Sequence, residues 1–320
     1  MEKKESVMRI GILGYGNLGK ALVKELEGSG HTVIGVFSRR RIYEDSVKIL
    51  PREDIYGYLG KIDLMLIATS SHSDAASDTC ELLPRFNVID SFDNHKKLPS
   101  HLSRLKALAE ENERVAITAA GWDPGLLSIA RAMAKISSGA ENVNTFWGAG
   151  KSLGHSSVLA NIEGVKYAVQ YTVPKEKSVT LSKNTDAALS DTDRHFRECF
   201  IVTKDGADRK KIENTVKSTE GYFKGYDISI NFITESEFLS KHNRDFHRGR
   251  VISTEIKDQK KTIFDLNIEI PSNAAFTARI MCSYINAIDC LQKGRLFGAY
   301  TPLDIPLSYL ITESEYNSIV

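Results

Sequence analysis

The sequence has few of the features that mark disulfide-bonded, metal-binding or membrane proteins. It contains only four cysteines in 320 residues, without CxxC spacing or a histidine pairing typical of a metal site, so we expect reduced thiols and no bound metal. Its longest apolar stretches, such as residues 64–68, are too short to cross a bilayer, and the charged residues 1–7 lack the apolar run of a secretory signal. We therefore expect a cytoplasmic protein without membrane contact.

A strong excess of one charge is also missing. Lys and Arg total 42 and Asp and Glu total 41, which gives a net charge of +1, so no basic field favours nucleic acid as a partner. No internal repeat or low-complexity stretch interrupts the chain. With 42% hydrophobic and 26% charged residues, the composition is that of an ordinary globular protein, and 320 residues suffice for two domains.

The first third of the chain has the pattern of a doubly wound α/β domain. Residues 8–13 form an apolar run typical of a buried parallel strand, residues 17–29 have helical spacing ended by Gly30, and residues 32–37 form a second apolar run. Strand, helix and strand in this order form a βαβ unit. Further strands are predicted at 63–68, 87–89 and 115–119, with helices at 74–83 and 102–112. We expect an open, mostly parallel Rossmann-type sheet of about six strands.

The pattern changes after Gly125. A helix is predicted at 126–135, followed by strands at 143–147, 165–173, 196–202 and 227–232 and a long helix at 274–292. The irregular order of strands and helices favours a mixed or antiparallel sheet in an α+β domain. We expect a cofactor domain at residues 1–120 and a substrate-binding and dimerisation domain at 121–293. Residues 294–320 either stand apart or pack back onto the first domain.

A glycine-rich loop indicates a dinucleotide site. Gly14, Gly16 and Gly19 directly follow the first strand and open the first helix, where a tight turn and exposed N–H groups suit a pyrophosphate. A plain strand-to-helix turn is the alternative. The residues expected to contact the cofactor here are Gly14, Tyr15, Gly16, Asn17, Leu18 and Gly19, together with Thr69, Ser70 and Ser71 after the strand at 63–68.

The end of the second predicted strand favours NADP over NAD. An NAD enzyme usually has Asp or Glu there to bind the ribose hydroxyls. This chain has Ser38, Arg39 and Arg40 instead, and two guanidiniums suit a 2′-phosphate through charge-assisted hydrogen bonds. The alternative is a solvated basic turn.

Two carboxylates follow strand ends, where ligands lie in open α/β sheets. Asp93 follows the strand at 87–89 and Asp123 follows the strand at 115–119. A carboxylate at such a position can take a proton from a bound substrate or from water, so either carboxylate suits the role of base. The structural alternatives are a turn formed by Asp93, and Asp123 capping a helix that has Pro124 at its first position.

A third cluster lies at residues 146–156 and is rich in glycine and hydroxyl side chains, as in loops where backbone approaches a ligand. His155 in this segment is a candidate to donate to a carboxylate or to relay a proton. A structural or solvated histidine is the alternative, because imidazole serves either role.

Together these motifs resemble the meso-diaminopimelate dehydrogenase family through nearly the whole chain. The matching stretches are residues 14–19, 37–40, 93–95, 121–125, 146–148, 154–156, 164–166 and 169–172, then Arg197 near Cys199, residues 225–226 and 231–233, His247, Asn273 and residues 276–278. The resemblance implies a homodimer that uses NADP(H). It also implies reversible conversion of meso-2,6-diaminopimelate to L-2-amino-6-oxopimelate and ammonia in lysine and cell-wall synthesis.

The resemblance also assigns residues to the two ends of the substrate. Those implied to surround the D-centre that loses hydride are Asp93, Asp123, Trp147, Leu153, Gly154 and His155. Those implied to hold the distal L-centre are Thr172, Arg197, His247 and Asn273. An arginine with neutral donors around it suits a carboxylate.

Leu153 is a departure, because the family commonly has Gln at this position. Leu offers only apolar contact, so a more permissive D-site is expected. Other hypotheses remain open at this point. They are a different NADP-linked oxidoreductase, such as a protein like dihydrodipicolinate reductase or aspartate dehydrogenase or a broad D-amino-acid dehydrogenase, and a non-catalytic NADP sensor.

Overall fold

The computed structural model describes residues 7–70, 74–242 and 246–320. The strands are β1 Arg9–Leu13, β2 Thr32–Ser38, β3 Ile49–Pro51, β4 Leu64–Ile67, β5 Asn87–Asp90, β6 Val115–Ile117, β7 Asn144–Trp147, β8 Gly150–Lys151, β9 Val165–Pro174, β10 His195–Thr203, β11 Asp227–Phe232, β12 His247–Lys257, β13 Lys260–Ile270 and β14 Gly298–Tyr300. The α-helices are α1 Asn17–Leu26, α2 Ala75–Leu82, α3 Leu98–Glu111, α4 Leu126–Ser138, α5 Leu153–Ala160, α6 Glu176–Asn184, α7 Asp191–Arg194, α8 Arg209–Ser218, α9 Glu235–Lys241, α10 Asn273–Ser283, α11 Ile285–Lys293 and α12 Glu313–Ile319.

The chain forms two compact units. One comprises the chain through Ile129 and again from Ala274, and the other is Ala130–Asn273. Within the described ranges, the first unit holds a seven-stranded sheet in the order β14-β6-β5-β4-β1-β2-β3. Its strand pairs are parallel, which confirms the predicted Rossmann-type sheet. The expected number of strands was too low because β3 and β14, of three residues each, are too short to show a pattern.

Burial in the core of the first unit explains why its strands are recognisable as apolar runs in the sequence. Every residue of β4 and β5 is buried, as expected for strands covered on both faces of a parallel sheet. On one face, Met281, Tyr284 and Ile288 are buried in the same apolar cluster as the β-strand residues. Met281 belongs to α10, Ile288 belongs to α11, and Tyr284 is the residue between the two helices.

The division of the chain therefore differs from the boundaries at residues 120 and 293 that the sequence suggested. The helical region at 274–292 is two helices separated by Tyr284, and its apolar face belongs to the core of the first unit. Strand β14 pairs with β6 in the same sheet. Spacing along the chain does not reveal which core a helix joins, so the sequence placed this segment in the second domain.

The second unit is an α+β body with mixed strand directions, as predicted. Its sheets have the orders β11-β10-β9-β8 and β13-β12-β7. The β10–β11 pair is parallel, whereas the β9–β10 and β12–β13 pairs are antiparallel. The β12–β13 hairpin was missed from the sequence. Its turn places Asp258 and Gln259 at φ 50° and 59°, and these residues are not the Asn-Gly or Asp-Gly pair that usually signals such a turn.

Among the described residues, no helix combines the length and the apolar character needed to span a membrane. In the same part of the chain, no group of three or more His, Cys, Asp or Glu side chains is arranged to hold a metal ion.

Candidate active site

The glycine-rich loop has the geometry of a phosphate-binding turn. Gly14 has φ +102°, and a Cβ there would lie 2.8 Å from the Ala68 carbonyl oxygen, while a Cβ on Gly19 would lie 2.1 Å from the Gly14 carbonyl oxygen. Side chains at these positions would therefore collide with backbone. A Cβ on Gly16 would meet nothing within 4 Å. Gly14 and Gly19 make the turn tight, and Gly16 leaves space for a ligand to approach backbone.

The helix that follows this loop presents its amino terminus. Helix α1 begins at Asn17, and among the described residues no side chain caps it at Gly16. Tyr15 is buried at 6% exposure in the apolar core, and its hydroxyl donates to Glu44 Oε2 at 3.4 Å. The ring of Tyr15 therefore anchors the loop, and the uncapped first N–H groups of α1 are suited to bind an anion.

The predicted basic residues lie at the carboxyl end of β2. Ser38 is buried and its Oγ accepts a hydrogen bond from the Arg40 N–H at 3.1 Å. The Arg39 side chain is 62% exposed and forms an ion pair with Asp74. An exposed ion pair contributes little stability. A phosphate dianion is therefore able to compete with Asp74 for Arg39.

The segment after β4 adds a polar group that lacks a partner. Thr69 Oγ1 is buried, and no described residue forms a hydrogen bond with it. A buried hydroxyl without a partner is costly, so it is expected to bind a ligand or water. Ser70 follows as an exposed residue. Ser71, also predicted to bind the cofactor, lies outside the described residues.

The two predicted carboxylates follow neighbouring strands of the first sheet. Strands β5 and β6 pair in parallel, so the loops with Asp93 and Asp123 leave the same edge. The Asp123 side chain is 1% exposed, and His95 Nε2 lies 3.7 Å from its Oδ1. His95 therefore connects the loop after β5 to the carboxylate after β6.

The segment between Asp123 and the following helix differs from the sequence prediction in the position of Pro124. Helix α4 begins at Leu126, so Gly125 directly precedes it and Pro124 is not its first residue. Gly125 has φ +133°, and a Cβ there would lie 1.9 Å from the Gly121 carbonyl oxygen. The chain therefore turns tightly on itself between Gly121 and the start of the helix.

Beneath these loops lies Asp90, which sequence reasoning missed. It is fully buried, and its Oδ2 lies 3.6 Å from His101 Nε2. Burial acts to raise the pKa of Asp90, but the nearby charge of His101, with hydrogen bonds from the Thr118 hydroxyl and the Phe92 N–H, lowers the pKa below its ordinary value. Burial acts to lower the pKa of His101, yet Asp90 and Cys80 raise the pKa to about 9. The pair is charged at neutral pH.

In the second unit, Arg197 and Thr172 are direct cross-strand neighbours on β10 and β9. The Arg197 guanidinium donates through Nη1 to Thr172 Oγ1 and lies 4.1 Å from the centre of the Tyr226 ring. Arg197 is only 7% exposed, and burial lowers its pKa. In the described part of the chain no Asp or Glu forms an ion pair with Arg197. Asp191, the nearby carboxylate, is paired with Arg194 instead. A buried cation without an anion is unfavourable, so the site suits an anionic ligand.

Glycines allow the strands around this arginine to approach closely. Gly148 has φ +104°, and a Cβ there would lie 1.8 Å from the Thr172 carbonyl oxygen, while one on Gly150 would lie 3.1 Å from His247 Cα. His247 is buried at the start of β12. The structure thus brings Thr172, Arg197 and His247 into one region. Asn273 is the first residue of α10.

His155 lies on α5 with an aromatic lining. Its Nδ1 and Ser152 Oγ are 2.7 Å apart, and its ring meets the rings of Tyr222 and Phe223 edge-on at 5.2 and 5.7 Å. Burial, together with the charge of Arg197, lowers the pKa of His155 to about 4. The imidazole is therefore neutral at pH 7. Gly154 is exposed with open space for a Cβ. Leu153 is the first residue of α5, and its side chain lies outside the described part of the structure.

Trp147 ends β7 and is held by His195, a second residue that sequence reasoning missed. The rings are stacked with centroids 5.2 Å apart, and the Arg194 guanidinium lies 5.8 Å from the centre of the Trp147 ring. His195 is 1% exposed. The only sequence signal for it was a histidine directly before the predicted strand at 196–202, which is weak because many strands follow a polar residue.

Comparison with known proteins gives one consistent result. Residues 121–272 match the family model described as the diaminopimelic acid dehydrogenase C-terminal domain. The meso-diaminopimelate D-dehydrogenase of Ureibacillus thermosphaericus is 36% identical over 316 residues, which is 97% of each chain. That of Corynebacterium glutamicum is 31% identical over 319 residues, or 98% of each.

Solved structures of two related proteins are similar to this chain over nearly its whole length. C. glutamicum DAP dehydrogenase in complex with DAP has a TM-score of 0.90, with 31% identity and 98% of each chain covered. An engineered D-amino acid dehydrogenase bound to NADP+ has a TM-score of 0.85 and 30% identity, with 98% of this chain and 99% of the other covered.

Proposed function

This chain belongs to the diaminopimelate dehydrogenase family, and from that premise we propose that it is the NADP-dependent meso-diaminopimelate D-dehydrogenase of lysine biosynthesis. In this reaction meso-2,6-diaminopimelate reacts with NADP and water at its D-centre. The products are L-2-amino-6-oxopimelate, ammonia, NADPH and a proton, and the reaction is reversible. Full-length similarity to relatives with this name and to a structure that holds DAP supports the proposal.

The burial of Arg197 without a carboxylate partner among the described residues is the single observation that carries the substrate assignment. A monocarboxylic amino acid has one carboxylate, whereas diaminopimelate has a second at its far end. The buried Arg197, with a hydroxyl acceptor and a stacked tyrosine but no carboxylate partner in the described residues, is suited to that second group. We assign Thr172, His247 and Asn273 to the same L-end of the substrate.

At the D-centre we assign the proton transfers to Asp93 and Asp123. The substrate ammonium must lose a proton before its carbon loses hydride, and the water that attacks the iminium must also lose one. A carboxylate within hydrogen-bond reach performs both tasks, and Asp123 is shielded from solvent. His155 remains neutral at pH 7 because its pKa is about 4, so its role is to hydrogen-bond. We assign Trp147, Leu153 and Gly154 to the same D-end of the substrate.

The residues of the first unit fit an NADP cofactor. We assign the pyrophosphate to the loop from Gly14 to Gly19, the 2′-phosphate to Ser38, Arg39 and Arg40, and further contacts to Thr69, Ser70 and Ser71. The open space at Gly16 and the buried Thr69 hydroxyl without a partner among the described residues support this fit. When bound, the nicotinamide supplies the acceptor for the hydride.

We further propose that the protein is a homodimer, as the resemblance implies, and that it acts in the cytoplasm. A second activity on simple D-amino acids is favoured by Leu153, which replaces the amide common in the family. It is also favoured by the 30% identity to an engineered D-amino acid dehydrogenase.

The experiment is a coupled measurement of both products. Purified protein is mixed with meso-diaminopimelate and either NADP or NAD, and NADPH and ammonia are quantified in the same sample. Equal amounts of the two products, with NADP strongly preferred, support the proposal. Tight NADP binding without product formation would instead identify a sensor.

A further inference from the structure

Strand β5 carries a buried polar side chain at each end. At its amino end, Asn87 donates to the Asp63 carbonyl oxygen at 3.0 Å and to Gln292 Oε1 at 2.9 Å, and its Oδ1 accepts from the Val115 N–H at 3.0 Å. At its carboxyl end, Asp90 is 0% exposed. Both residues connect neighbouring strands, but only Asp90 lies at the edge from which the loops with Asp93 and Asp123 leave.

One oxygen of Asp90 connects both of those loops. Oδ1 accepts from the Phe92 N–H at 2.9 Å, in the loop after β5, and Phe92 directly precedes Asp93. The same Oδ1 accepts from Thr118 Oγ1 at 2.7 Å and from the Ala119 N–H at 3.2 Å, in the segment after β6 that leads to Asp123. A single atom therefore fixes the start of each loop relative to the other.

The segment after β6 has a conformation that needs such support. Ala119 has φ +58°, a left-handed conformation that is unfavourable for a residue with a Cβ. Such conformations persist where surrounding contacts hold them, often near functional sites. Besides the bond to Oδ1, the next residue, Ala120, donates its N–H to the Asp90 carbonyl oxygen at 2.8 Å.

The second oxygen of Asp90 is held from the opposite side. Oδ2 lies 3.0 Å from the Thr79 hydroxyl and 3.6 Å from His101 Nε2. His101 belongs to α3, is 7% exposed, and its ring packs on Phe92 with centroids 4.7 Å apart. The histidine thus contacts both the carboxylate and the loop residue that the carboxylate binds.

We propose that Asp90 is a positioning residue for the dehydrogenase reaction, because its carboxylate, braced by His101, sets the placement of both Asp93 and Asp123. The inference rests on the proposed function, in which those two carboxylates act on the substrate amine. Asp90 touches neither substrate nor cofactor in this account. Its effect is to keep two loops in register, and small errors in such placement reduce turnover strongly.

The test compares Asp90→Asn, Asp90→Ala and Thr118→Val with the matched control Asn87→Ala. Asn keeps an oxygen for the Oδ1 bonds but loses the charge, Ala removes every bond, and Val removes one donor while it preserves shape. The control removes a buried connecting side chain from the other end of the same strand. Thr118→Val and Asp90→Asn are the variants that decide the matter if Asp90→Ala does not fold.

We expect kcat to fall by about 100-fold in Asp90→Ala and by roughly tenfold in Asp90→Asn and Thr118→Val, while NADP binding changes less than about twofold. Hydrogen–deuterium exchange should rise in both segments 91–97 and 118–125 in these variants. Asn87→Ala should lower the melting temperature but leave kcat and the exchange of both segments near the wild-type values.

Faster exchange in only one segment or in neither would overturn the inference, as would an equal loss of kcat in Asn87→Ala at a similar melting temperature. Exchange is measured without substrate, so it decides the inference even if the wild-type protein fails to oxidise diaminopimelate. That failure would count against the proposed function alone.

Discussion

The backbone N–H of Trp147 donates to Nε2 of His195 at 2.9 Å. A ring nitrogen that accepts a hydrogen bond carries no proton, so Nδ1 carries it and donates to the Asp191 carbonyl oxygen at 3.2 Å. Protonation of Nε2 would break the bond to Trp147. Burial, together with the nearby charges of Arg194 and Arg197, lowers the pKa of His195 to about 4.

This relationship predicts loss of stability in acid. The pKa of His195 is about 4 in the folded protein and 6.5 ordinarily, so the unfolded chain binds the proton more tightly. The contribution of His195 is complete above pH 6.5 and is lost as the pH falls toward 4, by up to about 3 kcal/mol. Melting temperatures measured from pH 7 to 4 should fall less steeply in His195→Asn than in the wild type.

The contribution of His101 to stability depends on pH in the opposite direction. Its pKa is raised from 6.5 to about 9, so its contribution is complete below pH 6.5 and is lost as the pH rises through 9. The variant His101→Gln should flatten the alkaline limb of the same melting curve and leave the acid limb unchanged. Wild-type slopes on both limbs in both variants would contradict the assignments of charge to these two histidines.

Cofactor preference depends on the arginines at the end of β2. Replacing both Arg39 and Arg40 by Ala should raise KM for NADP by about 100-fold, since two charge-assisted bonds to the 2′-phosphate are lost, and should change KM for NAD little. Arg41→Ala is the matched control, because Arg41 is also exposed and adjacent. An unchanged ratio of the two KM values in the double variant would place the 2′-phosphate elsewhere.

Asp123 should matter for turnover and not for folding. In Asp123→Asn the shape is kept but the base is lost, so kcat should fall by about 100-fold or more. NADP binding and the melting temperature should stay close to those of the wild type. Normal turnover, or a protein that simply unfolds, would return Asp123 to a structural role.

Arg197 should discriminate substrates by their second carboxylate. We expect Arg197→Met to reduce kcat/KM for diaminopimelate by about 100-fold, because a charge-assisted pair to the far carboxylate is lost. For a monocarboxylic D-amino acid the reduction should be much smaller. Arg209→Met, at an exposed site of the same unit, serves as the control. Equal losses on both substrates would show that Arg197 does not bind the far end.

Leu153 should make the D-site permissive. We expect the wild type to oxidise simple D-amino acids at a measurable rate, with diaminopimelate still preferred because of Arg197. The variant Leu153→Gln should lose activity on these amino acids by roughly tenfold, since an amide left without a partner disfavours them. A panel of D-amino acids assayed on both proteins tests this. Strict diaminopimelate specificity in the wild type would contradict it.

The sequence predicted the features of the fold and the site that depend on residues close together in the chain. The three glycines were identified by their spacing between a predicted strand and a predicted helix, and Arg197 and Thr172 were identified by their match to the family. The structure adds that Gly14 and Gly19 lie where a Cβ would collide with backbone, and that Arg197 and Thr172 are cross-strand neighbours. Asp90, His101 and His195 were missed, because their importance comes from buried contacts with residues distant in the chain. The same limit explains α10 and α11, whose apolar faces gave no indication of which core they join.

The most direct test of the central claim uses the stereoisomers of the substrate. The protein with NADP is given meso-diaminopimelate, which has one D-centre, or L,L-diaminopimelate, which has none, and the initial rate of NADPH formation is measured. The two isomers have the same charges and functional groups, so only configuration at the reacting carbon separates them. NADPH formation with the meso isomer and none above background with the L,L isomer is the predicted result. Equal rates with both isomers, or no NADPH with either, would contradict the account.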